Sequence, residues 1–277
     1  MLTKASSSPL FNSQRLQKLV LFVIAIILIV VLIIYEIPGE YYDELLSGFY
    51  LSMGLYLVGI FLGLGLGIIV AVIRHFGGPL TSRIATGYIE VLRGTPLIAQ
   101  ILIVIYAPPA LNEWFVAMGW PPIDLYWQIT YVDPWGTTRV LISARMLLCA
   151  ITLGLNSAAY QAEYIRSSLA SISSGQSLAA TSIGMTRIQE IRHIMLPQGL
   201  RRAIPAWSNE AVYLPQYTTV CFIVGLEEFF TMAKLVATRT YEVLPVYTVV
   251  AIVFLVLVSA ISLLLNSIYN RIKIPGI

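Results

Sequence analysis

Charged residues are scarce in this chain of 277 residues. Lysine, arginine, aspartate and glutamate together make up 11% of it, and hydrophobic residues make up 58%, whereas roughly a quarter of the residues in an ordinary soluble domain are charged. The mean hydropathy is +0.81. This composition predicts a protein that lives in a lipid bilayer. The formal net charge of +3 is too small to indicate nucleic-acid binding.

Histidine and cysteine are also few, which excludes several kinds of site. His75 and His193 do not form a His-Glu-x-x-His pattern, and the two cysteines do not form a cluster, so we expect no metal site. Cys149 and Cys221 both lie in apolar stretches, which favours packing residues over a disulfide. The sequence contains no Gly-x-x-x-x-Gly-Lys-Ser/Thr segment, so the chain has no phosphate-binding loop. We therefore expect neither catalysis nor a cofactor bound by this chain.

Six apolar stretches are long enough to cross a bilayer. A hydrocarbon core of about 30 Å needs around 20 apolar residues in a helix, so the sequence predicts an all-α integral membrane protein with six transmembrane helices. The predicted spans are Leu19–Ile37, Ser47–Ile73, Tyr88–Ala107, Leu141–Tyr164, Ala203–Gly225 and Leu244–Tyr269. A signal peptide is an alternative for the first, but no small-x-small cleavage site follows it, which favours a retained anchor.

The basic residues divide unequally between the two sides of these spans. Cytoplasmic loops carry an excess of lysine and arginine, so this division predicts a multi-pass protein with both termini in the cytoplasm. The predicted inner set is Lys4, Arg15, Lys18, Arg74, Arg83, Arg93, Arg166, Arg187, Arg192, Arg201, Arg202, Arg271 and Lys273, and the outer set is Arg139, Arg145, Lys234 and Arg239.

The predicted outer loop Asn112–Thr138 is rich in tryptophan. It contains Trp114, Trp120, Trp127 and Trp135. Because tryptophan is enriched where a membrane meets water, we interpret this loop as an aromatic cap in the outer interface rather than as a binding site.

A polar run at 171–197 interrupts the apolar stretches on the predicted cytoplasmic side. Thr186 and Gln189 have the spacing of a capping box, which predicts that a helix begins directly after Thr186. Gly184 suits a sharp turn before that helix, because positive φ costs glycine little. Pro197 disfavours helical geometry at the residue before it and is predicted to end the helix. We therefore expect a helical hairpin outside the membrane, and we call residues 171–197 the polar hairpin.

The second helix of the polar hairpin is amphipathic by periodicity. Apolar residues recur along it at spacings of three and four, and charged residues are predicted to occupy the opposite face. The apolar set is Ile188, Ile191, Ile194 and Met195, and the charged set is Arg187, Glu190 and Arg192. Two interpretations remain open on periodicity alone, a docking surface for a partner and an amphipathic segment on the lipid surface.

Polar side chains inside the predicted fifth span indicate a cavity. A charge near the centre of a membrane helix costs about 2.5–3.5 kcal/mol on insertion scales, so Glu210 should face a cavity or a partner rather than lipid. We interpret one polar face of this span as a candidate substrate site; its alternative is a clasp between helices, for instance Glu210 with Arg93 or Arg145. The candidate residues are Asn209, Glu210, Tyr213, Gln216 and Tyr217, together with Tyr160 from the preceding span.

Two further groups of polar residues are assigned structural or gating roles. Glu163 lies near the cytoplasmic end of its predicted span, where we expect it to pair with Arg166 at the i+3 position. Glu90 and Arg93 have the same spacing, and the segment Gly94-Thr95-Pro96 beside them indicates a kink or a re-entrant turn.

Four segments, in this order, resemble the permease subunits of bacterial and archaeal ATP-binding cassette (ABC) importers of the polar amino-acid type. The polar hairpin is similar to that family's "EAA" loop, and the Arg-Gly-Thr-Pro segment is similar to the start of one of its membrane helices. The matching segments are Glu90–Gln100, Asn156–Glu163, the loop residues Gly175, Gln176, Ala179, Ala180 and Gly184, and Leu196–Glu210.

The resemblance implies a type I ABC importer permease fold, with a five-helix core and one added N-terminal helix. Residues 1–46 would hold the cytoplasmic N-terminus, the added helix and an outer loop. Residues 47–277 would form the transmembrane domain, with a cytoplasmic coupling loop at 166–200. The loop residues implied to contact an ATPase are Gly175, Gln176, Ala179, Ala180, Gly184, Met185, Arg187 and Pro197.

The resemblance also implies partners in a prokaryotic plasma membrane. Two permease subunits, identical or related, would form the pore, and two ABC ATPase subunits that bind ATP and Mg²⁺ would hydrolyse ATP. An extracellular solute-binding protein would deliver the amino acid. The stretch Pro205–Glu210 is more similar to permeases for basic amino acids and opines, so we expect a basic cargo, with glutamine or another polar amino acid as the alternative.

The sequence departs from the family pattern at two places. Leu178 replaces the glutamate that names the loop, and Pro215–Thr219 stands where many relatives have Lys-Asp-Thr-Ser. An ion-coupled secondary transporter is the competing hypothesis; it predicts an internal inverted repeat and midplane carboxylates in both halves, whereas Glu210 is the one clearly deep carboxylate. A membrane scaffold without transport would have no use for that residue.

Overall fold

The computed structural model describes residues 39–124, 126–132 and 138–272. The predicted span Leu19–Ile37 lies outside the described residues. The described helices are α1 (Tyr42–Phe76), α2 (Pro79–Gly94), α3 (Leu97–Ala110), α4 (Asn112–Ala117), α5 (Ala144–Ala170), α6 (Ser174–Ser182), α7 (Arg187–Glu190), α8 (Leu196–Tyr217), α9 (Phe229–Thr240) and α10 (Val243–Ile272). Strands β1 (Gln128–Val132) and β2 (Thr138–Ser143) pair antiparallel.

The predicted mostly helical membrane fold is confirmed. By length and composition, three helical stretches of the described chain can cross a bilayer: Tyr42–Phe76, Leu97–Ala117 and Val243–Arg271. Helices α5 and α8 have 27 and 22 residues, which is also long enough to span, although they carry more polar side chains. The count of six spans and the division of the chain at residue 46 stay predictions.

Helix α5 lies at the centre of the molecule, where it contacts α1, α2, α3 and α8. Small residues allow α1 and α5 to approach closely. A Cβ atom built on Gly67 would lie 3.2 Å from the Ala158 carbonyl oxygen and 3.2 Å from the Ala162 nitrogen. Glycine in membrane helices commonly serves such close approaches. The α1–α5 contact is therefore a rigid support for the side chains that α5 presents elsewhere.

The predicted continuous span Tyr88–Ala107 is wrong, because the chain breaks within it. Thr95 and Pro96 are extended, with ψ angles of 144° and 133°, so α2 ends at Gly94 and α3 begins at Leu97. Proline disfavours helical geometry at the residue before it, which explains the break. The predicted kink or turn at this segment is confirmed.

The prediction that Pro197 ends a helix is also wrong. The chain stays helical from α7 into α8 through a π-turn at Ile191–Met195, in which the Leu196 amide donates to the Ile191 carbonyl five residues earlier. A proline inside a helix has no N–H to donate and crowds the carbonyl four residues before it. The wider π-turn directly before Pro197 relieves that conflict, so α8 begins at Leu196 rather than near Ala203.

Four elements have no counterpart among the predictions. The predicted outer loop contains the short helix α4 and strand β1, and strand β2 follows it. Helix α9 lies between the predicted fifth and sixth spans. The Glu228 carboxylate caps α9 by accepting hydrogen bonds from the amides of Phe230 and Thr231 at 2.9 Å and 2.8 Å, which is a typical N-cap arrangement.

Candidate functional site

Two adjoining cavities open where the α2–α3 break meets α5, and together we call them the cleft. Their volumes are about 410 Å³ and 350 Å³, and both are lined by Arg93, Gly94 and Tyr160. The first is lined further by Arg74, Ile89, Glu90 and Glu163, and the second by Thr95, Pro96, Leu97, Asn156 and Tyr217. The cleft therefore joins predicted gating residues with two of the predicted substrate residues, Tyr160 and Tyr217.

The wall of the cleft is fixed by amide side chains on α3 and α5. The Gln100 side-chain amide donates to the carbonyl oxygens of Leu92 at 2.8 Å and Thr95 at 3.1 Å. The Asn156 amide donates to the same Leu92 carbonyl at 3.0 Å and to the Gln100 side-chain oxygen at 3.0 Å. These bonds satisfy backbone carbonyls that the helix break leaves without intrahelical partners, and a buried carbonyl without a partner is costly.

Arg93 projects into the cleft against an aromatic ring. Its guanidinium carbon lies 5.1 Å from the centroid of the Tyr160 ring, within the range of a cation–π interaction. The side chain is exposed, and the ion pairs of the described residues do not include Arg93. The i+3 spacing of Glu90 and Arg93 is therefore not used for an ion pair in this part of the chain.

A second charged group lines the cleft beside Arg93, at Glu163. Glu163 accepts hydrogen bonds from Arg166, as predicted, and also from Arg74 at the end of α1. The carboxylate is thus shared between two guanidinium groups from two helices. Charge-assisted bonds of this kind are stronger than neutral ones, so Glu163 ties α1 to α5 and fits the structural role assigned to it.

The predicted substrate face of α8 is divided in the structure. Asn209, Tyr213 and Gln216 are exposed, whereas Glu210 is only 3% exposed. The Ser157 hydroxyl donates to the Glu210 carboxylate at 2.6 Å. A clasp between helices therefore exists, as in the alternative interpretation, but its partner is Ser157 on α5 rather than an arginine.

This clasp is part of a buried polar network across three helices. The Gln161 amide donates to the Ser157 hydroxyl at 2.9 Å and to the Ile60 carbonyl of α1 at 3.2 Å. The indole N–H of Trp207 on α8 donates to the Gln161 side-chain oxygen at 2.6 Å. Buried polar groups are costly unless they are paired, so the network fixes α1, α5 and α8 in one relative position.

The polar hairpin confirms its predicted turn and cap. The Thr186 hydroxyl accepts from the Gln189 amide, and the Gln189 side chain accepts from the Thr186 amide, which is the predicted capping box. Gly184 has a φ of 77°, the left-handed region that glycine adopts readily. The hairpin connects α5 to α8, so both of its ends continue into helices that line the cleft.

The predicted division of apolar and charged faces is wrong at Ile188 and Glu190, although Met195 is buried and Arg192 is exposed as predicted. Ile188 is 77% exposed, whereas Glu190 is 3% exposed. The reason is a local ion pair, because the Arg187 guanidinium bonds both Glu190 carboxylate oxygens at 2.8 Å and holds the carboxylate inward. Hydrogen bonds from Ser177 and then from Arg187 lower the pKa of Glu190 from its usual value of 4.5. Glu190 therefore links α6, which contains Ser177, to α7, which contains Arg187.

Three large apolar side chains stand out on the otherwise polar surface of the hairpin. Leu178, Ile183 and Ile188 are all more than two thirds exposed. The loop residues predicted to contact a partner are accessible in most cases: Gly175, Gln176, Ala179, Gly184, Arg187 and Pro197 are exposed, Met185 is partly exposed and Ala180 is buried. Large exposed apolar side chains rimmed by polar residues are typical of interaction sites.

The cleft and the polar hairpin both lie within a segment of the chain that matches a known protein family. The family described as "binding-protein-dependent transport system inner membrane component" matches residues 63–273. The chain belongs to this family. It is a permease of the ABC importer class and a multi-pass protein of the inner membrane, not a catalytic subunit, as the predicted resemblance implied.

Individual relatives agree with the family assignment. The permease is 27% identical over 231 residues to the glutamine transport system permease protein GlnP of Escherichia coli (strain K12), covering 83% of this chain and 93% of GlnP. It is 31% identical over 209 residues to the arginine transport system permease protein ArgU of Corynebacterium glutamicum, covering 75% of this chain and 61% of ArgU. The solved structure of an amino acid ABC transporter with histidines shares the fold, with a TM-score of 0.64, 24% identity and coverage of 84% of this chain and 95% of that one.

Several residues that shape the permease were missed by the sequence argument. Gln100, Ser157, Gln161 and Trp207 build the wall of the cleft and the network behind it. A signal existed, because each is a polar or amphipathic side chain within an apolar stretch and therefore needs a partner. Which partner each one finds depends on tertiary contacts that spacing along the chain does not reveal.

Proposed function

We propose that this permease forms half of a pore that imports polar amino acids, driven by ATP hydrolysis on separate ATPase subunits. One observation carries the proposal. Helices α5 and α8 present Tyr160 and Tyr217 to the cleft, and the polar hairpin that joins them exposes three large apolar side chains, Leu178, Ile183 and Ile188. A displacement of the hairpin by a partner is thereby transmitted to the cleft through two packed helices.

The partner at the polar hairpin is an ABC ATPase. Leu178 stands where related loops have glutamate, and it is 69% exposed beside Ile183 and Ile188. An apolar contact therefore takes the place of the missing carboxylate in the docking surface. The ATPase binds ATP and Mg²⁺, since this sequence contains no phosphate-binding loop of its own.

The complete transporter contains two permease subunits, identical or related, and two ATPases. The exposed polar side chains Asn209, Tyr213 and Gln216 on α8 face the second permease subunit across the pore, because polar groups at membrane depth line cavities rather than lipid. An extracellular solute-binding protein delivers the cargo to the outer face. Both chain termini lie in the cytoplasm, in line with the distribution of basic residues.

The cargo is a polar amino acid. Relatives named for glutamine and for arginine transport support this class and do not by themselves select a basic cargo. The expectation of a basic cargo comes from the similarity of Pro205–Glu210 to permeases for basic amino acids and opines. Glu210 itself is buried and accepts a hydrogen bond from Ser157, so it is not a receptor for a cationic side chain, and neutral polar amino acids are equally acceptable.

Co-purification tests the docking part of the proposal. Tagged permease from its native membranes should retain a protein that carries a Gly-x-x-x-x-Gly-Lys-Ser/Thr segment, identified by mass spectrometry. Leu178→Asp should abolish its retention, because it places a charge in an apolar contact. Leu80→Asp is the matched control, since Leu80 lies outside the hairpin and is 70% exposed, against 69% for Leu178. Equal retention by both variants would contradict docking at this surface.

A further inference from the structure

Arg93 is an exposed cation in the cleft and forms no ion pair with a carboxylate among the described residues. Glu163 is engaged by Arg74 and Arg166. The Glu210 carboxylate accepts a hydrogen bond from Ser157, and it attracts Arg93 electrostatically without a direct contact. Glu90 shares the cleft lining with Arg93, yet the two form no ion pair among the described side chains. A guanidinium that lines a cavity without an ion-pair partner keeps its N–H groups available to an anionic group of a ligand.

The geometry around Arg93 suits a planar anion. Its guanidinium lies over the Tyr160 ring, and such stacking restricts the orientation of the guanidinium plane while leaving its N–H edge available. A carboxylate matches that edge with two parallel hydrogen bonds. The two cavities that meet at Arg93, of about 410 Å³ and 350 Å³, lie in the size range of small-molecule sites.

We propose that Arg93, held against Tyr160, binds the α-carboxylate of the amino acid as it passes through the cleft. This inference rests on the proposed function, because it names the group of the cargo that the cleft recognises. The receptor acts on a group that every amino acid carries. The permease itself therefore recognises the amino-acid class, and selection among side chains is left to other parts of the transporter.

The remaining polar lining is consistent with this division. Tyr217 lines the cavity on the side away from Glu163 and carries a hydroxyl group that donates or accepts hydrogen bonds. The Thr95 hydroxyl beside it already donates to the Val91 carbonyl and accepts from the Gln100 amide. The Tyr217 hydroxyl adapts to both charged and neutral side chains of a cargo. The cleft thus contains one fixed cationic receptor beside an adaptable polar surface.

Equilibrium binding without the solute-binding protein tests the inference. Radiolabelled L-glutamine and L-arginine are added to the detergent-purified permease–ATPase complex, with L-argininamide as a competitor that lacks the carboxylate charge. Arg93→Gln should weaken binding of either amino acid by about 10- to 100-fold, as expected for loss of hydrogen bonds to a charged group. L-Argininamide should compete at least roughly 10-fold less well than L-arginine for the same reason.

Matched variants keep the result interpretable. Arg83→Gln is the control, because Arg83 is an exposed arginine of the same helix that lies outside both cavities, and it should bind like the wild type. Arg93→Lys keeps the positive charge but loses the planar guanidinium, so its amino-acid binding should be intermediate between wild type and Arg93→Gln. It replaces Arg93→Gln in the test if that variant does not assemble with the ATPase. Wild-type binding in both Arg93 variants, equal competition by L-argininamide, or no binding of either amino acid to the wild-type complex at millimolar concentration would overturn the inference.

Uptake by the complete transporter separates this inference from the proposed function. If proteoliposomes import amino acids with ATP while the binding experiment fails, the carboxylate receptor is wrong and the transport function stands. If no amino acid is imported, the proposed function itself is wrong.

Discussion

The Ser157 hydroxyl donates a hydrogen bond of 2.6 Å to the Glu210 carboxylate, and this contact joins the two helices that flank the polar hairpin. Both residues are nearly or completely inaccessible to solvent. Glu210 is therefore a fastening point between α5 and α8 rather than a receptor on the pore surface. Its effect on transport acts through the position of these helices.

Removing the Ser157 hydroxyl should destabilise the permease. We expect Ser157→Ala to lower the free energy of unfolding by about 1–3 kcal/mol, because it leaves the buried Glu210 carboxylate with one partner fewer. Reversible denaturation in mixed micelles measures this change. Ser208→Ala is the control, since the Ser208 hydroxyl only bonds the Ile204 carbonyl of its own helix. A Ser157→Ala variant as stable as the control would show that the clasp does not matter.

The close approach of α1 and α5 gives a second expectation. Gly67→Ala should destabilise the protein by about 1–3 kcal/mol, the usual cost of overpacking, because the new methyl group would lie 3.0 Å from the Gln161 Cβ atom and 3.2 Å from two backbone atoms. Gly65→Ala, two residues away, meets nothing within 4 Å. It should be neutral or stabilise the helix by up to roughly 1 kcal/mol, and equal melting temperatures of the two variants would contradict the packing described here.

The turn at Gly184 should control the affinity for the ATPase. An L-residue in the left-handed region costs about 1–2 kcal/mol, so Gly184→Ala should weaken ATPase binding by roughly 5- to 30-fold through a distorted polar hairpin. Titration of the purified permease with the ATPase measures the dissociation constant. Gly87→Ala on α2 is the control, because Gly87 has open space around it and no positive φ. Unchanged binding in Gly184→Ala would mean that the turn conformation is not required.

Glu190 should make the polar hairpin sensitive to acid. Its pKa is lowered in the folded protein by hydrogen bonds from Ser177 and Arg187, so its contribution to stability is complete above the usual pKa of 4.5 and is lost as the pH falls through the lowered value. Hydrogen-exchange protection of the hairpin amides, corrected for intrinsic rates, should fall in this acidic window. Glu190→Gln should be less protected above pH 4.5 and show a flatter profile. A wild-type profile in that variant would rule out this role.

Local features of the polar hairpin and of the end of α5 were predictable from sequence, because they depend on neighbours within one turn. The capping box of Thr186 with Gln189, the positive φ of Gly184 and the ion pair of Glu163 with Arg166 are all of this kind. Each follows from residue type and spacing alone.

Long-range features were not predictable in the same way. Glu210 finds a partner 53 residues away, and Glu163 a second arginine 89 residues away, and nothing in the local pattern distinguishes these partners from other polar residues. Pro197 shows a further limit, since a π-turn can absorb a residue that normally ends a helix. Tyr160 and Tyr217 were predicted because they are polar residues within apolar stretches. The hydrogen bonds of Gln100 and Asn156 that form the wall of the cleft were not predicted, because they depend on tertiary contacts.

ATP-dependent uptake is the most direct test of the central claim. Proteoliposomes should contain the permease and its ATPase, with ATP and Mg²⁺ on the ATPase side and the solute-binding protein with radiolabelled L-glutamine or L-arginine on the opposite side. The account predicts accumulation that requires ATP and is unaffected when proton and sodium gradients are collapsed. Accumulation that persists without ATP and follows an imposed ion gradient would contradict it.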